Sequence, residues 1–292
     1  MSSANVLYDA PGPRARRRAW IGGTVASVAL LLLIALAVKR LADQGQFSGK
    51  LWGPLLNPSD ENFPLVWTLL AKGVLATLTA AVLAIVFSLM IGTLIGVARM
   101  MLGRRSRMPV VGLIELLRGL PVVITIYFAS RVLPELGITL SDAPGGAGLW
   151  FLVIGLTAYN SVVIAEILRA GVASLPRGQN EAALAIGLTP GASMRLVLLP
   201  QATRVMLPAL ISQVVVILKD TSLAAVLGLY IELLRQGNLI ALNLNNPIQT
   251  LSVVAVIFIL MNYGLSRLAT WVDRRSLRKT QPEHVEVLAE VR

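Results

Sequence analysis

Apolar residues along this chain gather into long runs separated by short polar stretches rich in glycine and proline. The runs cover residues 21–38, 66–98, 110–129, 149–164, 205–218 and 251–263. About 20 helical residues cross a hydrocarbon core of about 30 Å, so several runs reach spanning length and the shorter ones need flanking turns. None keeps the period-two alternation of an outer-membrane strand. Backbone polar groups must find partners inside lipid, so helices are the expected spanning elements. The pattern predicts an all-α, polytopic membrane protein with six transmembrane helices.

The interruptions refine this picture. The run at 65–98 is too long for one untilted span, and its first part, through Gly73, is expected to lie along the outer interface before the chain crosses. Gly92 and Gly96 form a small-xxx-small pair that would let another helix approach closely. Pro109 suits the opening of the third span, and Pro121 interrupts its pattern by removing a backbone donor. Residues 1–19 read as a flexible cytoplasmic arm, 20–40 as an additional first span, 41–64 as an extracytoplasmic loop and 273–292 as a cytoplasmic tail. The basic start, the apolar run and Ala35-Leu36-Ala37 also fit a cleaved export signal, but 18 residues is long for one.

Charge sets the orientation. The chain is 55% hydrophobic and 14% charged, with a formal charge of +11. Most of its 26 basic residues sit in alternate connections. Arg14, Arg16, Arg17 and Arg18 precede the first span, and Arg99, Arg104, Arg105 and Arg107 follow the second. Arg169, Arg177, Arg195 and Arg204 bracket the connection near Glu181, and Arg267, Arg274, Arg275, Arg278, Lys279 and Arg292 follow the last span. The positive-inside rule therefore places both termini and the Glu181 connection in the cytoplasm of a plasma-membrane protein. No basic stripe with interleaved aromatics points to nucleic acid. There is no cysteine, and His284 is the one histidine, so thiol chemistry and multi-histidine metal sites are not expected.

The cytoplasmic connection at 177–200 is punctuated residue by residue. Asn180 reads as an N-cap, with Glu181 at the positive end of a short helix that ends at Gly187. Thr189-Pro190 reads as a second cap followed by an N1 proline, and Pro200 is expected to close the second helix. Leu184, Leu188, Met194, Leu198 and Leu199 would pack on a partner or on the chain's own spans. A mere bend between two membrane helices fits the periodicity equally well.

Three motifs carry a family resemblance. Glu181-Ala182-Ala183, Gly187 and Val197-Leu198-Leu199-Pro200 together resemble the EAA loop of ABC-transporter permease subunits, with valine at 197 in place of the usual isoleucine. Glu115-Leu116-Leu117-Arg118-Gly119-Leu120-Pro121 and Lys219-Asp220-Thr221-Ser222-Leu223 resemble the polar amino-acid uptake branch, with Leu120 where threonine is usual. The resemblance covers roughly residues 65–272. The opening Leu7-Tyr8-Asp9-Ala10-Pro11-Gly12-Pro13, with the extra first span, is similar to glutamate-uptake permeases of actinobacteria.

The resemblance implies a type I ABC importer permease fold with a two-helix coupling loop. It implies Glu181, Ala182, Ala183 and Gly187 as coupling residues, while Arg195 fits a contact to the ATPase and a solvated positive-inside charge equally well. ATP and Mg would be held by a separate ABC ATPase dimer, and this chain has no P-loop of its own. An extracytoplasmic amino-acid-binding protein would deliver the solute, and a second, related but distinct permease would complete the pathway. Lys219 and Asp220 at the outer end of the fifth span should face water, each other or the pathway. They fit a helix-ending boundary as well as a pathway role, while Thr221 and Ser222 are candidate caps for the next helix. Glu115 with Arg118, like Glu166 with Arg169, has i,i+3 spacing and fits structural support. The rival readings are an ion-coupled secondary transporter and a non-transporting membrane scaffold. The first would need ionisable residues inside the spans, which are few.

Overall fold

The computed structural model describes residues 12–278, so the amino-terminal motif at 7–11 and the tail beyond 278 lie outside the described residues. Helix α1 (Pro13–Asp43) starts inside the segment expected to be an arm, because Pro13 opens it at N1. A short α2 (Gly49–Leu56) precedes α3 (Phe63–Met101), α4 (Arg104–Gly119) and α5 (Val122–Glu135). Then come α6 (Gly146–Ala173), α7 (Gly178–Ala185) and α8 (Pro190–Ser193). A π-helical stretch (Met194–Leu198) leads into α9 (Leu199–Asp220), followed by α10 (Leu223–Leu227), α11 (Leu233–Leu244) and α12 (Pro247–Arg278).

Five stretches are long and apolar enough to cross a membrane: α1, α3, α6, residues 190–227 and α12. The pair α4–α5 makes a sixth only as a broken span, bent by 106°. The expected span at 110–129 is therefore two helices meeting at Leu120–Pro121. Pro121 has no N–H to continue the ladder, and it holds Leu120 in extended backbone (φ −92°, ψ 139°). Pro109 sits within α4 instead of opening the span.

The long run at 65–98 departs from expectation in the opposite direction. It forms one continuous helix with no break at Gly73. Gly73 is instead a packing site, where an added Cβ would lie 2.9 Å from the Leu233 Cα. Gly73, Thr77, Ala80, Ala84, Ser88, Gly92 and Gly96 make a buried stripe of small residues down α3. Between lipid-solvated helices apolar burial gives little drive, so association rests on close packing along such stripes.

Helix α6 occupies the centre of the bundle, with α3, α5 and α9 around it. Ala80, Ala84, Ile126, Leu152, Leu156 and Ile217 form the core about it. A second cluster at the other side packs Leu70 with Leu233, Ile240 and Val254. Helix α11, which the apolar pattern does not reveal, is buried there between α3 and α12. Its N-cap is Glu232, whose carboxylate accepts from the Leu234 and Arg235 N–H groups at 2.7 and 2.8 Å. Its C-cap, Asn245, takes a left-handed conformation (φ 51°). The segment at 44–64 is likewise tied down: Asn246 donates to the Leu51 carbonyl at 3.0 Å and Gln249 to the Gln46 carbonyl at 2.5 Å. Helix α1 has no buried residue.

The glycine pair at 92 and 96 meets α6, as its spacing suggests. A Cβ on Gly92 would lie 2.6 Å from the Ser161 carbonyl oxygen, while Gly112, on the exposed face of α4, has open space. Gly92→Ala is expected to destabilise the detergent-solubilised protein by about 1–3 kcal/mol through overpacking. Gly112→Ala should instead be neutral or slightly stabilising. Melting followed by intrinsic tryptophan fluorescence separates the two, and equal melting points would contradict the close α3–α6 contact.

Candidate functional site

The segment at 177–200 folds as a helix, a tight turn and a second helix. Helix α7 begins at Gly178, two residues before Asn180, so Asn180 is not its cap. Its amide instead joins the two helices of the loop, with Oδ1 accepting from the Ser193 hydroxyl at 2.8 Å. Gln201 donates to Gln179 at 3.1 Å, a second tie across the turn.

Gly187 ends α7 in the left-handed region (φ 89°). Its N–H donates to the Leu184 carbonyl at 3.0 Å, and the Leu188 N–H donates to the Ala183 carbonyl at 3.1 Å. Those two bonds are the Schellman pattern and satisfy carbonyls the helix would otherwise leave open. Thr189 then caps α8, its hydroxyl accepting from the Ala192 N–H at 3.2 Å, with Pro190 at N1.

Pro200 does not close this helix. The chain runs from α8 through the π stretch into α9, where Pro200 falls in the first turn. Proline lacks an N–H, and its ring clashes with a carbonyl one turn earlier in a regular helix. The wider π turn just ahead of it, with the Leu199 N–H donating to the Met194 carbonyl, lets the helix pass.

The loop is two-faced. Ala183, Ser193, Met194 and Leu198 point into the protein and are buried. Ala183 turns inward, where its small side chain suits packing of α7 on the π stretch. Glu181, Ala182, Gly187 and Arg195 are exposed. Beside them stand Leu184 (42% exposed), Leu196 (63%) and Ile186 (79%), an apolar outer surface. Ile186 and Leu196 were not singled out by the sequence pattern. A large apolar residue placed directly before the glycine that ends a helix was the available signal.

Behind the loop, an ion-pair network joins α3 to α6. Arg99 contacts Glu166 at 2.6 Å, and Arg169 contacts the other carboxylate oxygen of Glu166 at 2.5 Å. The i,i+3 spacing gave the second pair, whereas Arg99 lies 67 residues from Glu166. The pair Glu115–Arg118 is looser, at 3.8 Å with both side chains open, and contributes at most about 1 kcal/mol.

At the opposite end of α9, Asp220 is half-buried and Lys219 exposed. These two do not pair among the described ion pairs. Ser222 takes the N-cap position of α10, but its side chain makes no cap bond there. The hydroxyls of Thr221 and Ser222 donate backwards to the Leu218 and Lys219 carbonyls at 2.7 and 2.8 Å, closing α9 instead. One further polar contact was not legible: Gln213 of α9 donates to the fully buried Asn160 of α6 at 2.6 Å. Among apolar helices such a bond is worth about 1–2 kcal/mol. The described residues hold no group of acidic or histidine side chains arranged to bind a metal.

Comparison with known proteins bears on this arrangement. A family described as the binding-protein-dependent transport system inner membrane component matches residues 84–278. The glutamate transport system permease protein GluD of Corynebacterium glutamicum is 39% identical over 236 residues, covering 80% of this chain and 83% of its own. The glutamine transport system permease protein GlnP of Escherichia coli K12 is 37% identical over 71% of this chain and 92% of its own. Among solved structures, an amino acid ABC transporter with histidines superposes with a TM-score of 0.64 at 28% identity. It covers 74% of this chain and 98% of that one. The methionine transporter MetNI, in an inward-facing conformation, shares the fold with a TM-score of 0.62 at 21% identity, over 73% of this chain and 97% of its own. On these matches, and on a bundle of spanning helices that carries a capped helix–turn–helix loop, the chain belongs to the inner membrane components of binding-protein-dependent transport systems, among the amino-acid ABC permeases.

Proposed function

We propose that this chain forms half of the translocation pathway of an ATP-driven importer for glutamate or a similar polar amino acid. Residues 177–200 take up the motion of a separate ATPase dimer, which holds ATP and Mg. The observation that carries the reading is the two-faced loop. It is bolted inwardly through Ala183, Asn180–Ser193 and Leu198, and it offers Leu184, Ile186 and Leu196 outwardly beside Glu181 and Arg195. An exposed apolar patch on an internally tied element suits a docking surface that must pass force without deforming.

Glu181 and Arg195 rim that patch as charged contacts, Ala182 allows close approach, and Gly187 sets the turn. The positive-inside distribution supports placing the loop and both termini in the cytoplasm. An extracytoplasmic binding protein delivers the solute at the far end, and a related but distinct permease supplies the other half of the pathway. The names of the relatives support glutamate or glutamine as the solute class.

The reading is tested by purifying the native complex, reconstituting it with its binding protein, and measuring amino-acid uptake. Uptake is expected to require ATP hydrolysis by the partner and to respond first to glutamate. Uptake that persists with hydrolysis-dead partner subunits, driven by an ion gradient, would overturn it.

A further inference from the structure

The coupling role leaves one feature behind the loop unused. A cavity of about 610 Å³ opens between the ends of α3, α4 and α6 and the coupling loop. Arg99, Arg107 and Arg169 line it from three different helices, with Asn180, Met194 and Leu198 from the loop side. Glu166 pairs with both Arg99 and Arg169, so one carboxylate answers two guanidiniums. Arg107 brings a third positive charge from the exposed first turns of α4. Charge sorting across a membrane explains why arginines are common near this loop. It does not require three of them to converge on one cavity, where the single charge of Glu166 leaves an excess of positive charge that repels unless a second anion sits among them.

We propose that this cavity binds a phosphate group, carried by an anionic phospholipid or by a soluble phosphate, that bridges α3, α4 and α6 behind the coupling loop. Guanidinium forks match phosphate oxygens in a bidentate geometry. The cavity also sits where spanning helices end, the depth of phospholipid headgroups, and its apolar wall at Met194 and Leu198 suits the start of an acyl chain. Because α7 and the π stretch form part of the wall, an occupied site braces the loop against the spans.

The test uses the full-length protein, purified within its complex in dodecyl maltoside. Melting is followed while dioctanoyl phosphatidylglycerol, dioctanoyl phosphatidylcholine or inorganic phosphate is titrated in. Phosphatidylglycerol is expected to raise the melting point saturably, and phosphatidylcholine is not. Inorganic phosphate acting at similar concentrations would assign the site to a soluble phosphate, and its inactivity would assign it to the lipid. Arg107→Gln should raise the half-saturating concentration about fivefold, the weight of one arginine near an anionic headgroup. Arg105→Gln, on the other side of the same helix, should leave it within about twofold, since its side chain does not line the cavity. Equal losses in the two variants would reduce the effect to a diffuse basic surface and overturn the proposal. So would a melting point indifferent to both anions, or an Arg107→Gln protein that responds like the parent.

Discussion

Gly187→Val is expected to uncouple solute from ATP hydrolysis in the assembled transporter while the chain still inserts into the membrane. At φ 89° Gly187 holds a conformation that costs an ordinary residue about 1–2 kcal/mol, and a β-branched one more. Relief of that strain would break the Schellman bonds to Leu184 and Ala183 and swing α7 away from α8. Leu184 and Ile186, exposed at the end of α7, would then shift relative to the exposed Leu196 of the π stretch. A misalignment worth about 1.4 kcal/mol is tenfold in docking affinity. Stimulation of the ATPase by loaded binding protein should therefore fall about tenfold or more. Gly187→Asn is the control, because asparagine tolerates the left-handed region, and it should keep most of the coupling. If valine couples as well as glycine, the turn is not the mechanical element. If asparagine fails as badly as valine, the effect comes from bulk at the interface and not from backbone conformation.

The local parts of this loop were legible because capping is a short-range affair. Gly187 as a helix end and Thr189-Pro190 as a helix start follow from residues within a turn of each other. What failed was anything decided by a neighbour far along the chain. Asn180 has the chemistry of a cap and sits near a helix start, but Ser193 claims its side-chain oxygen. Pro200 has the chemistry of a stop, yet a π turn absorbs it, and which of those happens depends on how Met194 and Leu198 pack. Helix α11 escaped notice because Gln236, Asn238 and Asn243 dilute its apolar run. Its burial comes from Gly73 on α3 and Val254 on α12, which place small or fitted surfaces against it. The spanning helices, by contrast, were readable from hydropathy, apart from the unbroken run of α3 through Gly73 and the break at Pro121. There the proline showed that an interruption exists, but the 106° turn belongs to the packing of α5 on α6.

Glu166→Gln is expected to be the most destabilising change among the charged residues behind the loop. Glu166 is shielded to 22% exposure and answers guanidiniums from two helices, at 2.6 Å to Arg99 and 2.5 Å to Arg169. Removing its charge leaves Arg99, only 16% exposed, without its counter-ion. Loss of one partner from a shielded, hydrogen-bonded pair costs more than the pair contributes, on the order of 2–3 kcal/mol here. Arg118→Gln, which breaks only the open contact to Glu115, should cost less than about 1 kcal/mol. Both are measurable as melting shifts in nanodiscs. The comparison also ties the ion pairs to the arginine-lined cavity. With Glu166 neutral, three guanidiniums face one another uncompensated, so the deficit should be largest in phosphatidylcholine and shrink when phosphatidylglycerol supplies the missing negative charge. A deficit of equal size in both bilayers would mean that Glu166 holds α3 to α6 by itself and that no lipid phosphate shares its work.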